Sequence, residues 1–312
     1  MAQLGAPIPN APSDAAVAAE LRTQMDRVRR RKDDVELARM RLAAGATRAG
    51  FAAAVPFIAP GRSERALQIE IEAGFFRHGA DTVAYDSIIA SGPNAAVLHH
   101  PLTQRLLGAG ELVLIDAGAD YRGYACDVTR TYPVSGDFST EQADMYALVL
   151  RVQRAAIERC RAGVEYRDIH LAAALDVAQG LVDAGFLRGN AADLVEQGVS
   201  ALFFPHGIGH MVGLGVRDAG GYLPGRSRSE APALRFLRID LPLEPGHVVT
   251  IEPGIYFAPH LLAEPEIRRQ HRDTVVWNRV DQLRGFGGIR IEDNVLVREG
   301  GNEVLTRAIP KE

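Results

Sequence analysis

Four carboxylates and a histidine pair stand in segments of this 312-residue chain where charge is costly. Asp116 closes the apolar run LVLID, and Asp127 opens CDVTRTYPV, with Gly118 and Gly123 between them. A carboxylate ending a strand that runs into a core is expensive unless it is paired or bound to a cation. A hairpin across the glycines would bring both carboxylates to one face; taken singly, each is equally a turn residue. His206 and His210 lie four apart in FFPHGIGHMVG. Gly207 and Gly209 argue against a regular helix there, so one histidine can bind metal while the other works behind it or on substrate. In VVTIEPGIYF, strand alternation puts Thr250 and Glu252 opposite Val249 and Ile251, and Pro253 then stops the strand. In GGIRIEDNVLV, Arg290, Glu292 and Asn294 share the face opposite Ile289 and Ile291.

Gathered at one point, Asp116, Asp127, Glu252 and Glu292 would repel one another and protonate. Two divalent cations bring +4 and balance them, with His210 as a neutral nitrogen donor. Oxygen-rich ligation with one imidazole suits manganese, iron or cobalt, and affinity order also admits zinc. Two such ions roughly 3.5–4 Å apart activate a bridging water and polarise a carbonyl.

The elements that must carry these residues read as follows. The chain is 47% hydrophobic and 24% charged, which fits a globular protein and excludes disorder, collagen and coiled coil. Its length predicts about two domains or one large one. A net charge of −4 gives no general attraction to nucleic acid or anionic membrane. Cys126 and Cys160 make no disulfide framework, which suits a reducing, cytoplasmic compartment. No apolar run reaches membrane-spanning length, and no secretory leader is visible. Residues Met1–Asp14 read as a floppy tail. The basic run DRVRRRKDD, Asp26–Asp34, reads as a solvated helix turn flanked by acid rather than a nucleic-acid patch. Helices are predicted from Asp33 to Gly50, Ser63 to His78, Ser139 to Arg161, Tyr166 to Ala184 and Ala191 to Leu202. Each group of helices is followed by β-like runs. Helices then strands, twice, predict an α+β domain of two pseudo-equivalent halves.

The Asp116–Asp127 block, PHGIGH, IEPGIYF and GIRIED occur in the order found in the pita-bread metallopeptidases, and the chain resembles that family over roughly residues 33–310. Within it, RGYACDVTRTYPVSG, VLHH with His99, the stretch Gly220–Pro245 containing LRFLR, and DQLRGFGGIRIED resemble the prolidase and Xaa-Pro aminopeptidase branch. The resemblance implies the pita-bread fold around a central metal site, with residues 33–312 as the catalytic domain and 1–32 as tail and linker. It implies Asp116 on one metal, Asp127 and Glu292 bridging both, and His210 and Glu252 completing the other shell. Glu252 would also take the proton of the attacking water. His99 and His206 would steady substrate and move protons, and Arg290 would hold the acidic side chains. Arg238 of LRFLR would clamp the carboxylate of a C-terminal proline, with Arg235 the alternative. The implied activity is two-metal hydrolysis of Xaa-Pro bonds, foremost as a dipeptidase on proline-containing dipeptides, with manganese first among the metals. A homodimer is implied as well.

Two departures from the pattern matter. The family's HxxGLxVHD reads HMVGLGVRD here, so Arg217 replaces a substrate-contacting histidine. Arginine stays charged and shuttles no proton at neutral pH, which predicts slower or altered catalysis. The match also leaves only residues 1–32 ahead of it, where most prolidase-like members carry a further domain; a more open site accepting longer peptides would follow. The alternatives are an Xaa-Pro aminopeptidase, a catalytically weak or inactive binding protein on the same fold, and a metal-free creatinase-type hydrolase, against which the complete carboxylate set argues.

Overall fold

A computed structural model describes residues 15–223 and 225–311. The predicted tail at Met1–Asp14 lies outside the described residues. The chain begins with α1 (Ala15–Arg30), α2 (Asp34–Ala54) and α3 (Glu64–Arg77), followed by β1 (Thr82–Val83), β2 (Ile88–Ser91), β3 (Leu112–Asp116), β4 (Ala119–Tyr121), β5 (Tyr124–Ala125) and β6 (Thr129–Pro133). Then α4 (Thr140–Arg159), α5 (Tyr166–Asp183) and α6 (Ala191–Glu196) lead to β7 (Gly221–Tyr222), β8 (Ile239–Asp240), β9 (Val248–Ile251) and β10 (Gly254–Tyr256). Short helices α7 (Pro259–Leu262), α8 (Pro265–Gln270) and α9 (Trp277–Gln282) precede β11 (Gly288–Arg290), β12 (Asp293–Arg298) and β13 (Gly301–Val304).

The helix starts follow from side chains that satisfy free backbone N–H groups. Asp33 and Glu36 form a capping box on α2, Ser139 and Gln142 another on α4, and Ser63 accepts from Ala66 N on α3. The expected helix over Ala191–Leu202 splits into α6 and a 3₁₀ turn at Ser200–Leu202. Gly198 breaks it with a φ of 74°, a conformation glycine adopts without strain.

Helices then strands occur twice, as the sequence predicts, and the pairings are antiparallel except for the short parallel pair β7-β8. In the first half α2 and α3 accompany the sheet β2-β3-β6; in the second α4 and α5 accompany β9-β12-β13. Leu67, Ile71, Phe75, Ile89, Val113 and Ile115 are fully buried together in one core. Val149, Val152, Val177, Leu181, Val249 and Val295 are fully buried in the other. The halves meet where Glu292 N donates to Thr129 O at 3.1 Å and Thr131 Oγ1 exchanges hydrogen bonds with the Arg290 backbone. The run GGIRIEDNVLV is therefore not one strand. It breaks at Ile291–Glu292, so that β11 pairs with β10 and β12 with β9 and β13.

The basic run before α2 departs from the solvated expectation. Arg29 donates to Asp218 and to the Leu214 carbonyl, Arg30 to the Gly220 carbonyl, and Lys32 is buried against Asp218. Asp218, far along the chain, rather than the adjacent carboxylates, partners Arg29 and Lys32.

Candidate metal centre

The seam between the halves opens into a cavity of about 700 Å³. All ten site residues predicted above line it: Asp116, Asp127, His210, Glu252, Glu292, His99, His206, Arg290, Arg238 and Arg217. Arg235 does not; its guanidinium lies 5.6 Å over the Phe236 ring.

Asp116 is the last residue of β3, paired with Thr129 of β6. The β4–β5 hairpin then returns the chain to Asp127. That return requires Gly118, where a Cβ would stand 1.8 Å from the Cys126 carbonyl oxygen. Asn294 fixes the Asp127 backbone from β12, accepting from its N–H at 3.1 Å and donating to its carbonyl at 2.6 Å. His210 sits on a segment lying beside β9, where Thr250 N donates to His210 O at 2.8 Å and His210 N to Thr250 Oγ1 at 3.1 Å. Gly209 permits this approach, since a Cβ there would meet Thr250 O at 2.1 Å. Glu252 follows β9, tied by its N–H to Ile208 O at 2.8 Å.

One ligand atom each from Asp127, His210 and Glu292 lies within 4.8 Å of the others. His210 Nε2 is 3.3 Å from Asp127 Oδ2 and 3.8 Å from Glu252 Oε1. Its Nδ1 stands 2.9 Å from the Met211 carbonyl, so the ring donates there and turns the Nε2 lone pair into the cluster, as a metal-bound imidazole requires. Burial holds His210 below its ordinary pKa and thus neutral. The carboxylates move the other way. Burial, then Asp116, raises Asp127 to about 7; burial, then Glu292, raises Glu252 to about 8; and burial, then Asp127, pushes Glu292 well up. Protons or cations must stand between such oxygens. An acid-rich set with one correctly oriented imidazole fits hard or borderline divalent metal ions.

Asp116 stands at the edge of this cluster. Its Oδ2 accepts from Arg290 at 2.6 Å, and its Oδ1 from the Tyr85 hydroxyl at 2.6 Å. The same hydroxyl lies 2.6 Å from Asp127 Oδ1. A phenol has one proton, so it serves one carboxylate at a time. Arg290 also donates to Tyr256 Oη at 2.8 Å and to Thr129 Oγ1 at 3.1 Å, while Thr129 donates to Glu292 Oε2 at 2.6 Å. Tyr256 Oη is 3.0 Å from His206 Nε2, and His206 Nδ1 donates to the Gly207 carbonyl at 2.9 Å. Burial, then Arg290, depresses His206 to about 3, so the ring is a neutral acceptor. Sequence reasoning passed over Tyr85, Thr129 and Tyr256. The last two stand inside DVTRTYPV and IEPGIYF beside the acidic residues, which was the available signal; Tyr85 in VAYDS offered none.

Arg217 and His99 form the outer wall, with Arg217 donating to His99 Nε2 at 3.0 Å. Burial, then Arg217, lowers the His99 pKa. Arg238 is half-buried and has no hydrogen-bond or ion-pair partner among the described residues; burial and then Arg217 lower its pKa. Cys126 is buried, its thiol raised to about 12 chiefly by desolvation. That makes it inert.

A buried acidic cluster with one imidazole stands at the seam of two similar halves, a donor set that fits divalent metal ions. The chain belongs to Metallopeptidase family M24, whose sequence pattern it matches over residues 38–299, and its α+β architecture is that family's pita-bread fold. It is 42% identical over 281 residues to the Xaa-Pro dipeptidase of Shewanella amazonensis, covering 88% of this chain and 63% of that protein. It is 37% identical to a probable Xaa-Pro aminopeptidase of Fusarium vanettenii, covering 93% and 62%. Among solved structures it resembles Pseudomonas aeruginosa aminopeptidase PepP at a TM-score of 0.80 and 34% identity, covering 94% of this chain and 60% of that one. The chain thus spans less than two thirds of the length of these relatives. No helix among the described residues is long and apolar enough to cross a membrane.

Proposed function

We propose that the protein is a dinuclear metal-dependent peptidase for Xaa-Pro bonds, acting foremost as an Xaa-Pro dipeptidase. The observation that carries this is the convergence of Asp127, His210 and Glu292 within 4.8 Å. Asp116, Asp127, His210, Glu252 and Glu292 would hold the ions, manganese first and cobalt, iron or zinc as alternatives. Bound there, the ions would supply an activated water and a polarised scissile carbonyl. With the ions balancing its charge, Glu252 would stand as a carboxylate able to accept a proton beside them. His206 and His99 would hold the substrate and pass the proton taken up by Glu252 on to the departing proline nitrogen. Arg290 fixes Asp116 and, through Tyr256, His206. The unpartnered Arg238 guanidinium supports the dipeptidase reading, because a terminal carboxylate would meet it as a charge-assisted pair. The likeness to aminopeptidase P structures favours the second reading, an aminopeptidase on longer peptides. A catalytic unit at 33–312, a homodimer and a cytoplasmic setting belong to the same proposal.

The test is hydrolysis of Ala-Pro and Ala-Pro-Ala by metal-stripped protein given manganese, cobalt or zinc. Cleavage of Ala-Pro is the expected result. Preference for the tripeptide would support the aminopeptidase reading. Cleavage of neither, with metal bound, would overturn both and favour a binding protein.

A further inference from the structure

The basic run ahead of α2 has a second role in the geometry. The junction between α1 and α2 is a fixed post. Lys32 N donates to Gly246 O at 2.9 Å, and Arg31 bridges His247 just before β9. From that post two cations converge on one carboxylate. Lys32 Nζ is 2.9 Å and Arg29 2.5 Å from Asp218, and the Lys32 and Asp218 side chains are 0% and 1% exposed. The seat is tight: a Cβ on Gly213 would lie 2.4 Å from both Lys32 Cε and Asp218 Oδ2. Arg29 also donates to the Leu214 carbonyl and Arg30 to the Gly220 carbonyl, so the loop is held at both ends and at Asp218. Asp218 directly follows Arg217, whose side chain leaves this anchored loop to meet His99.

We propose that Arg29 and Lys32 are positioning residues for Arg217, fixing the 214–220 loop so that its guanidinium reaches His99 at the cavity wall. A segment ahead of the predicted catalytic unit thereby sets the geometry of the cleft. Only the kinetic arm of the test rests on the peptidase reading.

The variants are Arg29→Ala, which removes a partly exposed side chain, Arg29→Lys, Lys32→Met and Arg217→Ala, with the double variant Arg29→Ala/Arg217→Ala. Two readouts apply to each. The first is kcat/KM for Ala-Pro with manganese, where misplacing Arg217 should cost on the order of 10-fold. The double variant should then lose no more than Arg217→Ala alone, because both changes act through one group. The second is the NMR titration of the His99 ring in metal-free protein, faced by Arg217, Arg290, Arg238 and Asp116. It should rise in Arg217→Ala, rise equally in Arg29→Ala and Lys32→Met, and return in Arg29→Lys. Additive kinetic losses, or a His99 titration that moves in Arg217→Ala and stays put in Arg29→Ala, would overturn the proposal. If wild-type protein cleaves no Xaa-Pro peptide, the peptidase reading fails and the His99 titration alone decides this one.

Discussion

Replacing Asp293 with asparagine should unlock the scaffold behind the metal centre without touching a ligand. Asp293 lies between Glu292 and Asn294 and points the opposite way. It is fully buried and accepts from Arg130 at 2.9 Å, Gln153 at 2.8 Å and Thr306 at 2.7 Å, with Lys311 Nζ at 2.6 Å. Arg130 is itself fully buried and also donates to the carbonyls of Thr129, Glu292, Ile309 and Pro310. An amide in place of this carboxylate would retain one acceptor and lose the charge. Lys311 is 19% exposed and can turn to water, whereas Arg130 at 0% cannot. Stranding one buried charge costs about 3–5 kcal/mol. At roughly 2–4 °C per kcal/mol for a large domain, the midpoint should fall by about 6–20 °C. Urea denaturation of metal-free Asp293→Asn and wild-type protein measures the loss directly. Acid gives a second signature. Burial alone would raise the Asp293 carboxyl, but Arg130 and Lys311 hold it below the ordinary 3.8. Its contribution is therefore present above that value and lost as pH falls through the lower folded pKa, and the variant should lack this acid limb. A loss below about 1 kcal/mol would refute the argument, because surface pairs alone cost that little.

Three further outcomes follow from the same geometry. Metal-free protein should melt at lower temperature at about pH 9 than at about pH 7, a window above the histidine titrations, because Asp127 and Glu252, raised to about 7 and 8 by burial, hold protons in the fold that the unfolded chain releases first; divalent metal should reverse that slope, and an unchanged slope by calorimetry would contradict the pairing. Gly118→Ala should weaken manganese binding by on the order of 10–100-fold, the usual cost of disturbing a ligand's support, since Cys126 O blocks a side chain there; calorimetric titration measures it, and wild-type affinity would show that the hairpin has slack. Arg217→His should change turnover and the ratio of Ala-Pro to Ala-Pro-Ala cleavage, and unchanged kinetics would show that Arg217 takes no part.

Much of the cluster was legible because buried carboxylates leave local marks in the sequence. Asp116, Glu252 and Glu292 each interrupt an apolar run, where a carboxylate is costly unless it is paired or bound to a cation. Side-chain oxygens at Asp33 or Asp34, at Ser63 and at Ser139 or Thr140 announced the starts of α2, α3 and α4, and the structure takes Asp33, Ser63 and Ser139 as the caps. What stayed hidden depends on distance along the chain. Lys32 and Arg29 look solvated beside Asp33 and Asp34, yet their partner is Asp218. Tyr85 carries no charge pattern, and its role exists only once β3 and the β4–β5 hairpin bring two carboxylates to its hydroxyl. The break of GGIRIEDNVLV at Glu292 is likewise a tertiary event, imposed when Thr129 of the other half accepts the Glu292 N–H.

The most direct measurement is a manganese titration of metal-stripped protein, wild type beside Glu292→Gln, with Ala-Pro hydrolysis read in the same samples. Two ions should bind per wild-type chain, hydrolysis should appear as they bind, and Glu292→Gln should lose both together. Ala-Pro cleavage by metal-free protein, or full manganese binding by Glu292→Gln, would contradict the account.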